Sequence, residues 1–160
     1  MNWIIFISVM LGTFILMEGI TWLTHRFVMH GFLWFLHEDH HKPDGRKIEK
    51  NDAFFLIFAV PSWLCIMLGL QHQRYGIAAI GFGIALYGLA YFVVHEVIIH
   101  QRFRLFSKSN NRYVRTIRWA HKMHHKHTGK EEGESFGMLF VAKKYREKIR
   151  RDDSIKHSAR

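Results

Sequence analysis

Histidine is the residue whose number and spacing stand out in this sequence. The chain has 13 histidines among 160 residues, and ten of them form four clusters. The spacing H-x4-H is followed by H-x-x-H-H, and this order occurs twice along the chain. Neutral imidazole is a strong ligand for iron, copper and zinc, so the clusters predict a metal site. Its candidate ligands are His25, His30, His37, His40, His41, His95, His100, His121, His124 and His125.

The two spacings place different demands on a helix. Residues i, i+3 and i+4 share one helical face, so an H-x-x-H-H cluster can converge on one or two ions. In the H-x4-H pairs, positions i and i+5 of an α-helix lie about 140° apart. Because Gly31 follows His30, we expect the second histidine of each pair to lie where its helix ends or bends. Ten ligands exceed the four of a tetrahedral zinc site and favour two ions in one nitrogen-rich centre.

The segment 110–127 indicates which way these histidines face. On a helical wheel the last histidine cluster shares one side with Tyr113, Val114, Ile117 and Ala120. The opposite side holds basic residues, which are Arg112, Arg115, Arg118, Lys122 and Lys126. The histidines therefore lie on the inward, apolar face, and the basic residues face water or lipid head groups.

Three apolar blocks must position these clusters. Residues 3–23 carry a single charge, Glu18, and residues 53–70 and 75–94 carry none. About 20 apolar residues cross a bilayer as a helix, and 160 residues could hardly bury three such helices in a soluble core. The sequence therefore predicts an all-α integral membrane helical bundle with three or four transmembrane helices, a fourth element at 136–141 staying open. Within the spans, Pro61 predicts a kink, and Gly81, Ala85 and Gly88 predict a close helix–helix contact.

Charge orients the predicted bundle. The chain has 23 Lys and Arg against 13 Asp and Glu, which gives a formal net charge of +10. All the basic residues except Arg74 fall within 24–52 and 95–160, on the same side as the clustered histidines. The positive-inside rule makes this side cytoplasmic, so we expect a His-rich di-metal cap and the C-terminus there. The lone Cys65 excludes a disulfide framework and a cysteine-based metal site.

Three polar side chains within the spans lie below the clusters. Glu18 precedes His25 by two helical turns, and a carboxylate inside a membrane predicts a functional role. Tyr87 and Tyr91 precede His95 by eight and four residues and therefore share its face. We expect these three residues to line a substrate channel leading to the metals. Packing within the bundle is the alternative for all three.

The histidine motifs and their flanking residues resemble the bacterial β-carotene 3-hydroxylases of the fatty-acid hydroxylase superfamily. The resemblance covers about residues 15 to 140. It rests on HRFVMHG at 25–31, HEDHH at 37–41, ND at 51–52, YFVVHEVIIHQR at 91–102, AHKMHH at 120–125, GKEE at 129–132 and SFG at 135–137. One departure is Glu96, which stands where related sequences often have Asp, and His127 lies outside the family pattern.

The resemblance implies a membrane non-haem di-iron monooxygenase that hydroxylates β-ionone rings with O2. Hydroxylation of both rings would convert β-carotene through β-cryptoxanthin to zeaxanthin. Conversion of canthaxanthin to astaxanthin is a further option. Two irons would be held by the ten clustered histidines, although a purified sample could hold zinc instead. The substrate would come from the bilayer and the electrons from a ferredoxin-type protein. Arg112, Arg115, Arg118 and Lys122 could bind such a donor, or equally anionic lipid.

Further expectations concern the carboxylates near the histidines, the tail and the location of the protein. Glu38, Asp39 and Glu96 are carboxylates suited to orienting imidazole N–H groups. Residues 1–142 form the hydroxylase domain, and the basic tail 143–160 is expected to be solvated or to lie on the membrane surface. The expected location is the bacterial inner membrane, with no nucleic-acid partner. The alternatives are a hydroxylase or desaturase of a fatty acyl chain or sterol and, from a different class, a membrane metal transporter or a haem electron carrier.

Overall fold

Helices form all the regular structure in the described part of the chain. The computed structural model describes residues 1–42, 45–46, 48–103 and 105–158, except the side chain of residue 157. These residues contain six α-helices and no strand. The helices are α1 (Trp3–Leu23), α2 (Trp34–His41), α3 (Ala53–Gln71), α4 (Tyr75–Tyr91), α5 (Arg112–His124) and α6 (Lys143–Ser158). The all-α prediction is confirmed.

Three of these helices are long and apolar enough to cross a membrane. With the turns that extend them, the spans are Trp3–Phe32, Lys50–Gln71 and Tyr75–Ile99. Large apolar side chains cover their outer surfaces, and Trp3 and Ile4 are 78% and 76% exposed. An apolar surface of this extent needs lipid around it rather than water. The three predicted spans are therefore present, and the segment 136–141 forms no helix.

Small residues let α4 pack against both α1 and α3. A Cβ added to Gly81 would lie 2.7 Å from the backbone oxygen of Ser62 on α3, and one added to Gly83 would lie 2.6 Å from that of Met10 on α1. The predicted close contact at Gly81 is confirmed. At Gly88 it is wrong, because an added Cβ there meets nothing within 4 Å. The sequence pattern assumed one contact face, whereas α4 lies between two helices.

Two further features are a proline within α3 and a helix in the basic tail. Helix α3 includes Pro61 within its length, and the kink expected there stays a prediction. The basic tail forms a helix, α6, which packs on α5 and buries Tyr145 and Ile149 while its lysine and arginine side chains stay exposed. Asp153 on α6 pairs with Arg112 and Arg115 on α5. The high charge of this tail obscured its amphipathic pattern in the sequence. Residues 159–160 lie outside the described part.

Candidate metal centre

The ten clustered histidines come together at the cytoplasm-facing end predicted for the bundle, in two groups. Apart from His125, the ligand nitrogens of each group lie within 4.8 Å of one another. We call His25, His30, His37, His41 and His124 the first group. The second group consists of His40, His95, His100 and His121, together with His125, whose Nε2 lies 2.8 Å from Nε2 of His121.

π-Helical turns explain how the H-x4-H pairs reach one centre. Helices α1 and α4 continue into π-helical segments, Thr24–Phe32 and Phe92–Ile99. The backbone N–H of His100 donates to the carbonyl of His95, five residues earlier, at 2.9 Å. Hydrogen bonds from i to i+5 place residues five apart above one another, which an α-helical wheel does not predict. The expected bends are confirmed at Gly31, whose φ and ψ of −109° and −125° are not helical, and at His100, which ends its helix.

Each H-x-x-H-H cluster contributes to both groups. On α2, His37 and His41 belong to the first group and His40 to the second. On α5 the division is reversed, because His124 joins the first group and His121 the second. The H-x4-H pairs are not divided in this way. His25 and His30 both belong to the first group, and His95 and His100 both belong to the second. The prediction that each triplet converges on one or two ions fits this arrangement.

Burial keeps His37, His41 and His124 neutral. His37 and His124 are 1% and 0% exposed. Burial, reinforced by neighbouring imidazoles, lowers the pKa of His124 to about 3 and that of His41 to about 4. At neutral pH their nitrogen lone pairs are therefore free to bind a metal.

In the first group every imidazole presents Nδ1 to an oxygen. The oxygens are carbonyls in four cases and the side-chain oxygen of Asn51 in the fifth. The pairs are His25 with Phe136 O at 3.1 Å, His30 with Lys130 O at 3.0 Å, His37 with Asn51 Oδ1 at 2.7 Å, His41 with His127 O at 3.0 Å and His124 with Glu134 O at 2.9 Å. A carbonyl oxygen only accepts, so each Nδ1 carries the proton and each Nε2 carries a lone pair.

These Nε2 atoms face one another. The Nε2 atoms of His25 and His37 are 3.1 Å apart, and Nε2 of His124 lies 3.1 Å from that of His41 and 3.3 Å from that of His30. Facing lone pairs at such distances repel each other unless a cation lies among them. The first group therefore has the donor set, protonation pattern and spacing that a metal ion requires.

The second group is supported by carboxylates instead. His40 Nδ1 lies 2.8 Å from Glu49 Oε2, and His95 Nδ1 lies 2.6 Å from Glu96 Oε1. His40 Nε2 is buried and has no hydrogen-bond partner among the residues the structure describes. A buried, unpartnered ligand atom backed by a carboxylate also fits a metal ion.

Of the carboxylates named from the sequence, only Glu96 contacts an imidazole. Glu38 pairs with Lys42 at 2.8 Å on the surface of α2, and Asp39 accepts the backbone N–H of Lys50 at 2.6 Å. The sequence reasoning missed Asn51 and Glu49, although Asn51 belongs to a matching family segment. It also missed the carbonyls between His127 and Phe136, which no side-chain pattern reveals.

The three polar residues below the centre form a layer within the spans. The hydroxyl of Tyr87 donates to Glu18 Oε2 at 2.7 Å, and both side chains are buried. The ring of Tyr91 stacks on that of His95 with centroids 4.6 Å apart. A role for these residues in a substrate channel stays a prediction.

A cavity of about 340 Å³ reaches the second group. Four of that group's histidines line it together with Arg118 and Lys122 on α5. A small molecule or a partner's side chain could therefore approach the second group past two cationic side chains. His127 lies outside both groups and is 3.6 Å from Glu132.

Known proteins match most of the chain. The fatty acid hydroxylase family model matches residues 10–142. The chain is 39% identical to the β-carotene hydroxylase of Pantoea ananas over 141 residues, which cover 88% of this chain and 80% of that protein. It is 38% identical to the β-carotene hydroxylase of Pseudescherichia vulneris, over 81% of this chain and 73% of the relative.

Plant proteins match as well. The chloroplastic β-carotene hydroxylase 2 of Capsicum annuum is 35% identical over 88% of this chain and 48% of the plant protein. No solved structure matches the chain. The family match, the similarity to these hydroxylases and the buried two-group histidine centre on a three-span bundle lead to one conclusion. The chain belongs to the fatty acid hydroxylase family.

Proposed function

We propose that the protein is a β-carotene 3-hydroxylase. It adds a hydroxyl to carbon 3 of each β-ionone ring, converting β-carotene through β-cryptoxanthin to zeaxanthin, and it accepts ketocarotenoids such as canthaxanthin. The observation that carries this proposal is the convergence of ten imidazoles in two groups at the end of a membrane bundle, in a chain whose relatives are named β-carotene hydroxylases. Each hydroxylation consumes O2, two electrons and two protons and releases water.

The residues present fit two iron ions, one in each histidine group. Iron held there would supply the O2-dependent oxidising power that an unactivated C–H bond requires. In the first group, the Nδ1–H hydrogen bonds fix each ring in the orientation that directs Nε2 inward. Burial holds His37, His41 and His124 of the first group neutral. Because imidazole sites also bind zinc well, zinc can replace iron during purification.

The substrate enters from the bilayer. A carotenoid dissolves in lipid, so the first group needs an apolar approach. Aromatic side chains supply it, since the ring of Phe136 lies 5.4 Å from that of His25 and 6.4 Å from that of Trp22. On the side of the second group, Tyr91 stacks on His95 and is our candidate for contact with the substrate. Glu18 and Tyr87 bind each other and are weaker candidates for this role.

Electrons come from a separate, acidic ferredoxin-type protein. The cavity at the second group opens beside Arg118 and Lys122, and the chain has a net charge of +10. Opposite charge steers such a partner to this face. The bacterial inner membrane, with the histidine centre and the C-terminus in the cytoplasm, is the location that the distribution of basic residues supports.

Carotenoid analysis tests the proposed reaction. Cells that accumulate β-carotene would express the wild-type protein, His40→Ala, His124→Ala or the control His72→Ala, which changes an exposed histidine between α3 and α4. We expect zeaxanthin and β-cryptoxanthin with the wild type and the control, and neither with the other variants. Unchanged β-carotene from a well-expressed, iron-loaded wild type would contradict the proposal. Newly hydroxylated fatty acids or sterols in the same cells would then identify another lipid as the substrate.

A further inference from the structure

Glu18 is a buried carboxylate in the first membrane span, and its partners lie far away in sequence. Its Oε1 atom accepts three consecutive backbone N–H groups, those of Met138 at 3.0 Å, Leu139 at 2.8 Å and Phe140 at 3.1 Å. Tyr87 donates to Oε2. A run of backbone N–H groups around one oxygen is a recurrent way of binding an anion. Through these hydrogen bonds, Glu18 holds residues 138–140 against helix α1.

Residues 138–140 lie at the end of a non-helical stretch whose carbonyls bind imidazoles of the first histidine group. Residues 127–141, here called the coil segment, contain no helix in the structure. Four carbonyls of this segment accept Nδ1–H bonds from imidazoles of the first group, namely those of His127, Lys130, Glu134 and Phe136. The last of these carbonyls is only two residues before Met138. The position of the coil segment thus determines the orientation of four of the five ligands.

The second group does not depend on this segment in the same way. Its described Nδ1 partners are Glu49 and Glu96, which lie elsewhere in the chain. The fifth ligand of the first group, His37, is held by Asn51. Displacement of the coil segment should therefore weaken metal binding by the first group and leave metal binding by the second group unchanged.

We propose that Glu18 is a positioning residue that anchors the coil segment and thereby sets the metal affinity of the first histidine group alone. This inference rests on the two-metal centre proposed above. Gly137 contributes to the same anchorage, because a Cβ at this position would lie 2.7 Å from the backbone oxygen of Phe140 and 3.4 Å from Glu18 Oε1. The close approach of the backbone of residue 137 to the Phe140 carbonyl requires glycine, next to the carboxylate that binds residues 138–140.

The test compares metal content and protease sensitivity of purified protein. The variants are Glu18→Leu, which removes the acceptor, Glu18→Gln, which keeps an acceptor oxygen without the charge, and Gly137→Ala. Ser62→Ala is the matched control, because Ser62 is also buried within the spans and donates to Gly81 O at 2.8 Å, away from the coil segment. Iron per chain is measured by elemental analysis, and trypsin cleavage after Lys130 reports the position of the segment.

We expect two irons per chain in the wild type and in Ser62→Ala, and one in Glu18→Leu and Gly137→Ala. Glu18→Gln should bind the first iron about 10- to 100-fold more weakly, the range observed when a group supporting a metal ligand is lost. Cleavage after Lys130 should become faster in these three variants, with or without metal. The helical circular dichroism should not change.

Two results would overturn the inference. One is the retention of both irons by Glu18→Leu with an unchanged cleavage rate. The other is the loss of both irons in Glu18→Leu and in the milder Glu18→Gln, which would make Glu18 a general structural residue. A wild type that binds no metal would instead contradict the proposed function, and the cleavage rates of the metal-free proteins would still test the anchorage.

Discussion

At the scale of the residue, the direction of each imidazole matters more than the number of histidines. Every member of the first group donates through Nδ1 to an oxygen and turns Nε2 towards the other members. The histidine types and spacing could be read from the sequence, and all ten predicted ligands lie in the two groups. The hydrogen-bond acceptors that orient these histidines could not be read from the sequence. Backbone carbonyls have no sequence signature, and Asn51 lies 14 residues from its partner His37.

The hydrogen bond from His37 to Asn51 allows a direct test at this scale. Replacing Asn51 by alanine removes the acceptor that fixes the orientation of the His37 ring. We expect metal affinity to fall about 10- to 100-fold, measured by competition with a chelator. Asn110→Ala, at an exposed position, is the control and should leave the affinity unchanged. Equal affinities for the two variants would mean that Asn51 has no such role.

The lowered pKa values predict how pH affects the metal-free protein. Burial is the main cause in four histidines outside the spans, whose pKa values are lowered to about 2, 4, 3 and 3 in His37, His41, His100 and His124. Below pH 6.5 the unfolded chain binds protons that these folded imidazoles refuse, so stability falls as pH falls. Each such histidine contributes up to about 1.4 kcal/mol per pH unit.

Thermal unfolding of the chelator-treated protein in detergent measures this effect. The midpoint should be highest above pH 6.5 and should decrease steadily between pH 6.5 and about pH 4. A midpoint that stays constant or rises on acidification would show that the histidines are not buried as neutral groups in the metal-free state.

At the scale of the element, the sequence predicts the spans and α5, and it misses α6 and the π-helical form of the segments Thr24–Phe32 and Phe92–Ile99. Apolar length identified the spans, and the wheel of 110–127 placed Ile117, Ala120, His121 and His124 on the buried face. The same wheel placed Tyr113 inward, whereas it is 48% exposed near the helix start and donates its hydroxyl to Leu139 O. The π-helical segments were missed because hydrophobic periodicity assumes 3.6 residues per turn.

Glycine packing between helices gives a prediction for the bundle. Gly81→Ala would place a methyl group 2.7 Å from a backbone oxygen of α3, whereas Gly88→Ala would place one in open space. We expect Gly81→Ala to lower stability by about 1–3 kcal/mol and Gly88→Ala to have little effect. Thermal unfolding in detergent compares the two. The expected contact would be absent if both variants unfolded at the wild-type temperature.

At the scale of the whole molecule, a membrane bundle positions a buried polar centre at its predicted cytoplasmic end. The spans α1 and α4 each lead directly into one H-x4-H pair, and α2 and α5 add one H-x-x-H-H cluster each. This division explains why the histidine pattern occurs twice in the sequence. The coil segment and α6 complete the cap, and neither could be placed from apolar periodicity because both are rich in polar residues.

Iron analysis is the measurement that tests the central claim most directly. The protein would be purified from iron-replete cells in detergent, and its iron content would be compared with that of His124→Ala, which alters the first group, and of the control His72→Ala. The two-group centre predicts two irons per chain in the wild type and in the control, and about one in His124→Ala. A wild type with no iron or zinc, or with haem in its place, would contradict the claim that these histidines form a two-metal centre.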